Sequence, residues 1–359
     1  MYREDISLLC CPKTKEDLVW SVIYKEDNDG DVIEGELVSG QTGHVYKVKN
    51  GIPRFVDSLE YNKSWDYKWT VLDAGRGLNY LITDKNDSAY SLHDLFDKNS
   101  YGGDSHSMAT GKVALDIGCG VGQYSWRLVN EFKPRKMISM DLTHGVDIFR
   151  KIMLERFPEH KKTILIVQGD VFCPPFKDSS IDYVMSLGVL MHTGNTKKAI
   201  ENAAKLVVEE GFLNIWVYAS LSVAYDWREP DRGATCTTLN VIPEQLRQLI
   251  VFAWVKLINA LPHELAMVIM KLFSSTPVYL LTRIPLLGKI VEFFIPRVRH
   301  PNRDYRLINL YDWFRNNWGD TWGEHEIFPV LKANGIVLKG ISKWRVGMFG
   351  KKLSRFYHD

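Results

Sequence analysis

The sequence predicts an α/β protein built on a seven-stranded, mostly parallel sheet with an antiparallel last strand. From residue 111 onward, short apolar runs alternate with amphipathic stretches, the pattern of strands and helices in a parallel sheet. Beyond residue 335, two strand-like runs follow each other without a helix between them and close the sheet as a hairpin. A β-rich unit at 1–57, a connector at 58–110 and an apolar helical insertion at 219–313 complete the 359 residues.

The elements of the sheet domain are placed from apolar periodicity. Parallel strands are predicted near residues 112–117, 136–141, 163–168, 181–187 and 211–218, and helices near 122–132, 145–157 and 195–209. A capping-box pattern from Thr321 to Glu324 predicts one more helix, which ends at Asn334-Gly335. The closing strands are expected at 336–341 and 344–349. The sheet domain therefore comprises residues 111–218 and 314–359, and residues 58–110 form a helical, aromatic connector.

Composition restricts the class of protein only broadly. The chain has 45 basic and 43 acidic residues, and this net charge of +2 argues neither for nor against a nucleic-acid partner. Five cysteines without framework spacing indicate a reducing compartment. The first residues carry no apolar leader, so we expect a cytoplasmic protein.

The glycine-rich stretch Ala-Leu-Asp-Ile-Gly-Cys-Gly-Val-Gly at 114–122 predicts a ligand site. Asp116 ends an apolar run, and glycines follow at 118, 120 and 122, where the backbone can approach a ligand closely. The dinucleotide pattern has a different glycine spacing, and the lysine of a P-loop is missing. A carboxylate behind a glycine turn suits a ligand with a cationic amino-acid end, such as S-adenosylmethionine.

Acidic residues also follow the next two predicted strands. Asp141 is placed to accept hydrogen bonds from ribose hydroxyls, which would serve NAD equally well. Asp170 can accept from an exocyclic amine, while Val171 offers its backbone N–H to a ring nitrogen. A turn role explains any one such residue. Three acids at three successive strand ends instead favour a ligand at the carboxyl edge of the sheet.

With Pro-Phe-Lys-Asp-Ser-Ser-Ile-Asp-Tyr-Val-Met-Ser at 175–186 and Gly-Val-Leu-Met-His-Thr at 188–193, this stretch resembles the Rossmann-like class I S-adenosylmethionine-dependent methyltransferases, in the branch of the ubiquinone and menaquinone enzymes. The resemblance covers about 111–218, and more weakly 300–350. It implies contacts of the glycine turn with methionine, of Asp141 with ribose, and of Asp170 with adenine. The candidate cofactor residues are Asp116, Gly118, Cys119, Gly120, Gly122, Gln123, Asp141, Leu142, Asp170, Val171, Leu187 and Gly188. We interpret Cys119 as a small packing residue of the turn.

The N-terminal unit resembles the zinc-ribbon activator subunit of several tRNA and protein methyltransferases, through Cys-Cys-Pro-Lys-Thr at 10–14 and Gly-Ile-Pro at 51–53. The four zinc-ligand positions of that family correspond to Cys11, Thr14, Ser39 and Thr42. Three of the four ligands are missing, and zinc needs about four soft or imidazole donors. His44 and Cys10 have the wrong spacing to replace them. We therefore expect a metal-free ribbon that acts as a structural cap, and no metal site.

The sequence identifies the methyl acceptor much less clearly than the methyl donor. His192 follows the fourth strand and is a candidate base or positioning group, because histidine titrates near neutrality. Tyr311 and Asp312 are candidates for the rim of an acceptor site, with a solvated connector as the alternative. Cys173-Pro-Pro-Phe imitates the motif of enzymes that methylate base amino groups, but it follows the third strand instead of the fourth. Without a basic stripe, nucleic acid is disfavoured as substrate.

Two apolar features of the sequence each have more than one possible role. Residues 249–296 are apolar, but charges and prolines interrupt them, so short helices are predicted rather than a membrane span. They form a substrate lid, a homodimer interface or a peripheral membrane contact. Tyr61, Trp65 and Trp69 share one helical face, near Tyr67. They form either a packing stripe or an aromatic wall over the ligand.

The sequence as a whole predicts methyl transfer to a small hydrophobic acceptor, on oxygen or carbon. The alternatives are an RNA or protein methyltransferase, suggested by the ribbon, and a non-catalytic S-adenosylmethionine-binding or scaffold protein. The three intact acids weigh against a scaffold.

Overall fold

The computed structural model describes residues 1–56, 69, 107–219, 244–295, 301–314, 321–341 and 347–353. The chain divides into two compact units. The first comprises residues 1–69, 84–220 and 320–359, and the second comprises residues 70–83 and 221–319. The ribbon and the sheet domain thus belong to one unit, which we call the sheet unit. The other is the helical unit.

The main sheet has seven strands in the described part of the chain, as the sequence predicts. They are β5 Val113–Ile117, β6 Lys136–Asp141, β7 Ile164–Gln168, β8 Ile181–Leu187, β9 Val207–Trp216, β12 Ile336–Ile341 and β13 Gly347–Lys352. Their order is β12-β13-β9-β8-β5-β6-β7. Strands β5 to β9 pair in parallel, and β13 is antiparallel to both of its neighbours. The chain moves to one side of β5 through β6 and β7, and to the other side through β8 and β9. The carboxyl end of β5 is therefore a topological switch point, where ligands bind in open α/β sheets.

The parallel strands β5 and β7 are buried on both faces, as their continuous apolar runs require. All five residues of β5 and all five of β7 are buried. Helices α1 Gln123–Phe132, α2 Gly145–Arg156 and α3 Thr196–Leu206 connect the parallel strands, and α9 Glu324–Ala333 precedes the closing hairpin. Asn195 caps α3, because its side chain accepts a hydrogen bond from the backbone N–H of Lys198 at 3.1 Å.

Two local predictions are wrong. The predicted capping box places Thr321 at the helix start, but Thr321 and Trp322 form a short strand, β11, which pairs with β10 Tyr218–Ala219. The helix cap lies at Gly323 instead, whose backbone N–H donates to the side chain of Glu326 at 2.7 Å. The third helix ends at Leu206 rather than near 209, because β9 already begins at Val207 to pair with β8.

The ribbon is a four-stranded antiparallel sheet in the order β1-β2-β3-β4. Its strands are β1 Leu18–Glu26, β2 Val32–Ser39, β3 Val45–Lys49 and β4 Ile52–Pro53. Directly after β4, Arg54 forms a parallel bridge with Gln168 of β7. The backbone N–H of Phe55 donates to the carbonyl of Gln168 at 2.9 Å. The ribbon therefore covers the free edge of β7, and exposed strand edges are prone to unwanted pairing.

The helical unit has its own small core. Its helices are α4 Glu244–Ala260, α5 His263–Phe273, α6 Thr276–Leu281, α7 Leu287–Phe294 and α8 Arg303–Phe314. Ile258, Met270, Leu310 and Phe314 are fully buried in it. Arg306 is also buried, and its guanidinium donates to the carbonyls of Ser274 and Pro301 at 2.8 and 2.9 Å. Among the described residues, no helix is long and apolar enough to cross a membrane.

Candidate methyl-donor site

The glycine turn between β5 and α1 has a backbone that only glycine adopts easily. The φ angles of Gly118, Gly120 and Gly122 are +80°, +54° and +84°. A Cβ at 118 would lie 2.3 Å from Val189, and one at 122 would lie 2.2 Å from Phe149. The sequence explains these glycines by close approach to a ligand. The structure adds that side chains of the protein itself fill the space beside the turn.

One residue of the aromatic stripe can be located. A Cβ at Gly120 would lie 2.6 Å from the indole ring of Trp69, so this ring lies against the glycine turn. Tyr61, Trp65 and Tyr67 fall outside the described residues. Trp69 is therefore a neighbour of the candidate donor site, a position that fits both the packing-stripe and the aromatic-wall interpretation of its helical face.

Asp116 is a buried carboxyl near the end of β5. It is 1% exposed, and Ser125 in α1 donates a hydrogen bond to it at 2.7 Å. Burial raises the pKa of Asp116, the hydrogen bond from Ser125 partly opposes this, and the charge of Asp141 adds to the rise, so that the resulting pKa is about 7. None of the described basic side chains forms an ion pair with Asp116. A carboxyl of this kind favours a cationic neighbour.

Asp141, the last residue of β6, organises the turn. One of its oxygens accepts from the backbone N–H of Gly120 at 2.7 Å. The other accepts from the backbone N–H and the hydroxyl of Thr143, at 2.8 and 2.6 Å. The sequence assigns Asp141 only to a ribose, whereas the structure also shows it holding the glycine turn in place. Leu142 follows, and its carbonyl accepts from the side-chain amide of Gln168 at 3.0 Å.

Asp170 and Val171 lie in the turn after β7. Asp170 accepts from the backbone N–H of Phe172 at 2.8 Å, as a turn residue does. The carbonyl of Val171 accepts from the side chain of Asn202 in α3 at 3.0 Å. Asn202 could not be found from the sequence, because nothing in its local pattern links it to a turn 31 residues earlier in the chain.

The remaining donor candidates surround the same edge. Leu187 ends β8, and Gly188, with φ +73°, donates its N–H to the carbonyl of Trp216 at 2.9 Å. Gln123 is the first residue of α1. Cys119 is buried, and burial raises its pKa well above the usual value, so its thiol stays neutral. This agrees with a packing role for Cys119.

The acceptor candidates are divided between the two units. His192 lies in a short 3-10 turn after β8, in the sheet unit, and is half-buried. Tyr311 and Asp312 lie on α8, in the helical unit. The buried ring of Tyr311 lies edge-on to His263, with centroids 6.3 Å apart, and the side chain of Asp312 is outside the described part.

The former zinc-ligand positions of the ribbon are linked by hydrogen bonds. Ser39 donates to Glu16, and Thr42 donates to Ser39 at 2.8 Å and lies 3.3 Å from Glu16. Hydrogen bonds, first from Ser39 and then from Thr14 and Thr42, lower the pKa of Glu16. Burial alone would raise the pKa of Cys11, but hydrogen bonds with Thr14 and Tyr46 lower it. Among the described residues, no group of three or more histidines, cysteines or acids is arranged to hold a metal.

The ribbon also contacts the elements that carry the donor candidates. Arg54 donates to Asp147 in the first turn of α2 and to the side chain of Gln168, both at 2.9 Å. Gln168 in turn bonds the carbonyl of Leu142, next to Asp141. Asp31 is fully buried, and it pairs with Arg150 of α2 and with the amino group of Met1.

The fold and the site define a class of protein. It is a Rossmann-like enzyme domain whose candidate ligand site lies at the topological switch point of the sheet. Residues 115–215 match the family described as methyltransferase domain, and residues 6–51 match the Trm112p-like protein family. The chain therefore contains a methyltransferase domain, whose cofactor is S-adenosylmethionine, and a Trm112p-like N-terminal domain. No curated protein matches the chain.

Three solved structures illustrate the likeness. Haemonchus contortus phosphoethanolamine N-methyltransferase 2, in complex with S-adenosyl-L-methionine, is 21% identical over 49% of this chain and 40% of its own, with a TM-score of 0.35. A chain of the complex between the Haloferax volcanii Trm112 methyltransferase activator and a methyltransferase is 19% identical over 40% of this chain and 64% of its own, with a TM-score of 0.29. The YcgJ protein of Bacillus subtilis is 19% identical over 34% and 55%, with a TM-score of 0.29. The match thus spans less than two thirds of each of these chains.

Proposed function

We propose that this protein transfers the methyl group of S-adenosylmethionine to a small hydrophobic acceptor, on oxygen or carbon, as a member of the ubiquinone- and menaquinone-methyltransferase branch. The observation that carries the proposal is the set of acids after three adjacent parallel strands, Asp116, Asp141 and Asp170, around a glycine turn that Asp141 holds. The carboxyl ends of these strands lie at one edge of the sheet, so one ligand can meet all three.

The residues present fit a cationic donor. A buried carboxyl such as Asp116, whose pKa is raised by burial and by the neighbouring Asp141, gains from a ligand that brings positive charge. Asp116 and the glycine turn would hold the methionine part, Asp141 and Leu142 the ribose, and Asp170 and Val171 the adenine. Gln123, Leu187 and Gly188 complete the donor wall. The donor, when bound, supplies a methyl group on a sulfonium.

The chain's own contribution to the reaction is alignment and, for a hydroxyl acceptor, removal of a proton. His192 follows β8 at the donor edge and is half-buried, so it would accept that proton or orient the acceptor oxygen. Tyr311 and Asp312 would contribute to the acceptor rim.

Calorimetry tests the donor assignment. We expect S-adenosylmethionine to bind the natural chain, and Asp141→Ala to weaken binding by about 1–3 kcal/mol, since charge-assisted hydrogen bonds are lost. Asp178→Ala, an exposed acid after the donor strands, is the control and should change nothing. Failure to bind at millimolar donor would leave only the scaffold alternative.

The pKa of Asp116 gives the same experiment a second readout. A donor ammonium beside Asp116 favours its ionised form, so donor binding should release a proton below about pH 7, and affinity should rise with pH up to that value. Binding heats in buffers of different ionisation enthalpy measure the proton release. An Asp116→Asn variant should abolish it.

The Trm112p-like match of residues 6–51 supports a second candidate, methylation of RNA or protein. Labelled donor offered with small hydrophobic hydroxyl acceptors, with total RNA and with a protein extract separates these possibilities.

Removal of residues 244–295 should end transfer to a small hydrophobic acceptor and leave donor binding intact, if that segment is a substrate lid. Unchanged turnover would rule out the lid.

A further inference from the structure

Exposed large apolar side chains are concentrated in one segment of the helical unit. Of the seventeen such residues in the described part of the chain, eleven lie between residues 257 and 294. They are Leu257, Leu265, Val268, Leu272, Leu280, Leu281, Ile284, Leu286, Leu287, Ile290 and Phe294. Single exposed apolar residues are ordinary, but a concentration of this size marks an interaction surface.

The exposed apolar residues follow helical spacing. On α5, Leu265, Val268 and Leu272 are 47–62% exposed, whereas Met267 and Met270 are buried in the core of the unit. A helix that is apolar on both its inner and outer sides needs a nonpolar environment on each.

Helix α7 repeats the pattern. Leu287, Ile290 and Phe294 have the same spacing as the three residues of α5, and all are exposed. Between these helices, Leu280, Leu281, Ile284 and Leu286 are exposed as well. Three successive helices, α5, α6 and α7, and the turn before α7 therefore carry exposed apolar side chains.

The charges within the segment are mostly positive. Lys256, Lys271, Arg283 and Lys289 are exposed, whereas the acids of the described residues 253–295 are the exposed Glu264 and the half-buried Glu292. The whole chain, by contrast, is nearly balanced. Apolar side chains mixed with basic ones fit an anionic bilayer surface, where each basic group adds to the attraction. A symmetric dimer would instead place this positive patch against its own copy.

We propose that residues 256–294, which we call the apolar–basic segment, bind the surface of an anionic lipid bilayer. Helices α4 to α7 are 17, 11, 6 and 8 residues long, which is too short to span a bilayer. Their apolar side chains insert at the level of the headgroups, and the lysines and the arginine meet lipid phosphates. This binding is independent of the donor site and of the identity of the acceptor.

Vesicle co-sedimentation of the full chain tests the proposal. One vesicle preparation contains phosphatidylcholine with phosphatidylglycerol, and the other contains phosphatidylcholine alone. We expect the protein to bind the anionic vesicles, and the triple variant Leu265→Ser, Val268→Ser, Leu272→Ser to lower the partition coefficient by about tenfold or more. The matched control, Val19→Ser, Val45→Ser, Leu154→Ser, changes three exposed apolar residues of the sheet unit and should bind like the natural chain.

A charge variant tests the electrostatic part. Lys271→Glu with Lys289→Glu should weaken binding to anionic vesicles by about tenfold or more and leave the weak binding to neutral vesicles unchanged. Circular dichroism confirms that each variant is folded. No vesicle binding by the natural chain, or equal loss in both serine variants, would overturn the proposal. Self-association in sedimentation velocity that the α5 variant abolishes, without vesicle binding, would identify a dimer interface instead.

Discussion

The ribbon and the apolar–basic segment are both additions to the same sheet domain, yet their surfaces are opposite in character. The ribbon is attached to the sheet by specific polar contacts, and the acid at its centre, Asp31, is fully buried. The apolar–basic segment belongs to a unit with its own core and keeps much of its apolar surface exposed. An addition whose surface is satisfied within the chain serves the fold. The ribbon also exposes single apolar residues such as Val19 and Val45, but only the apolar–basic segment concentrates them.

The contacts of the ribbon also reach the donor edge. Arg54 bonds Asp147 and Gln168, and Gln168 bonds the carbonyl of Leu142 beside Asp141. The ribbon can therefore set the position of the turn after β6, next to Asp141, which is the residue proposed to bind the ribose. The apolar side chains of the apolar–basic segment are exposed, so their substitution should mainly affect what binds them.

The largest expected effect is at Asp31. Asp31→Ala leaves the buried guanidinium of Arg150 without its carboxylate and should lower the free energy of unfolding by about 3–5 kcal/mol. Burial alone would raise the pKa of Asp31, but the Met1 amino group and Arg150 lower it. The stabilisation is therefore present above the ordinary aspartate pKa and is lost as the pH falls below it. Urea unfolding at several pH values measures both.

The matched control for Asp31 is an exposed ion pair of the same ribbon. Arg3 pairs with Glu26, and the Arg3 side chain is 58% exposed. Arg3→Ala should change the free energy of unfolding by less than about 1 kcal/mol. Equal losses at the two sites would remove the distinction between buried and exposed attachment.

The next effect is on donor affinity. Arg54→Ala should weaken S-adenosylmethionine binding about tenfold, because charge-assisted bonds that fix the turn after β6 are lost. Arg54→Lys should restore part of the affinity, and Lys47→Ala, an exposed ribbon residue, should have no effect. Titration calorimetry gives the values. An Arg54→Ala variant with lower stability but unchanged affinity would show that the ribbon only stabilises the fold.

A smaller effect is expected on the stability of the helical unit. The three α5 substitutions, Leu265→Ser, Val268→Ser and Leu272→Ser, should each change the free energy of unfolding by less than about 0.5 kcal/mol, since these side chains are already exposed. Thermal unfolding measures this. A large loss would mean that the three side chains are packed within the protein.

The smallest expected effect is that of added zinc on the melting temperature. Added zinc should leave the melting temperature of the natural chain unchanged, because hydroxyl residues stand at three of the four positions that correspond to the zinc ligands, and two of them bond each other and Glu16. Restoring cysteine by Thr14→Cys, Ser39→Cys and Thr42→Cys, with Glu16→Ala, should create zinc binding that raises it. Stoichiometric zinc in the purified natural protein would refute the metal-free ribbon.

The sequence predicted the sheet and the donor strands well, because these depend on local signals. Apolar runs of five residues mark β5 and β7, and Asp116 with its glycines marks the turn. The sequence did not predict Asn202 or Val189 beside the site, and it located the helix cap near Thr321 wrongly. Each of these depends on which distant segment lies next to a given residue.

The sequence by itself determined the class of fold and the chemistry of the donor edge, since backbone periodicity, glycine conformations and carboxylates act over a few residues. Only the tertiary structure decided that Asp141 holds the glycine turn, that the ribbon covers the edge of β7, and that the apolar helices keep one side exposed. Arg54 and Gln168 are 114 positions apart, and no local pattern encodes such a pair. Strand order brings them together, because β7 lies at the edge of the sheet and an edge strand needs a neighbour.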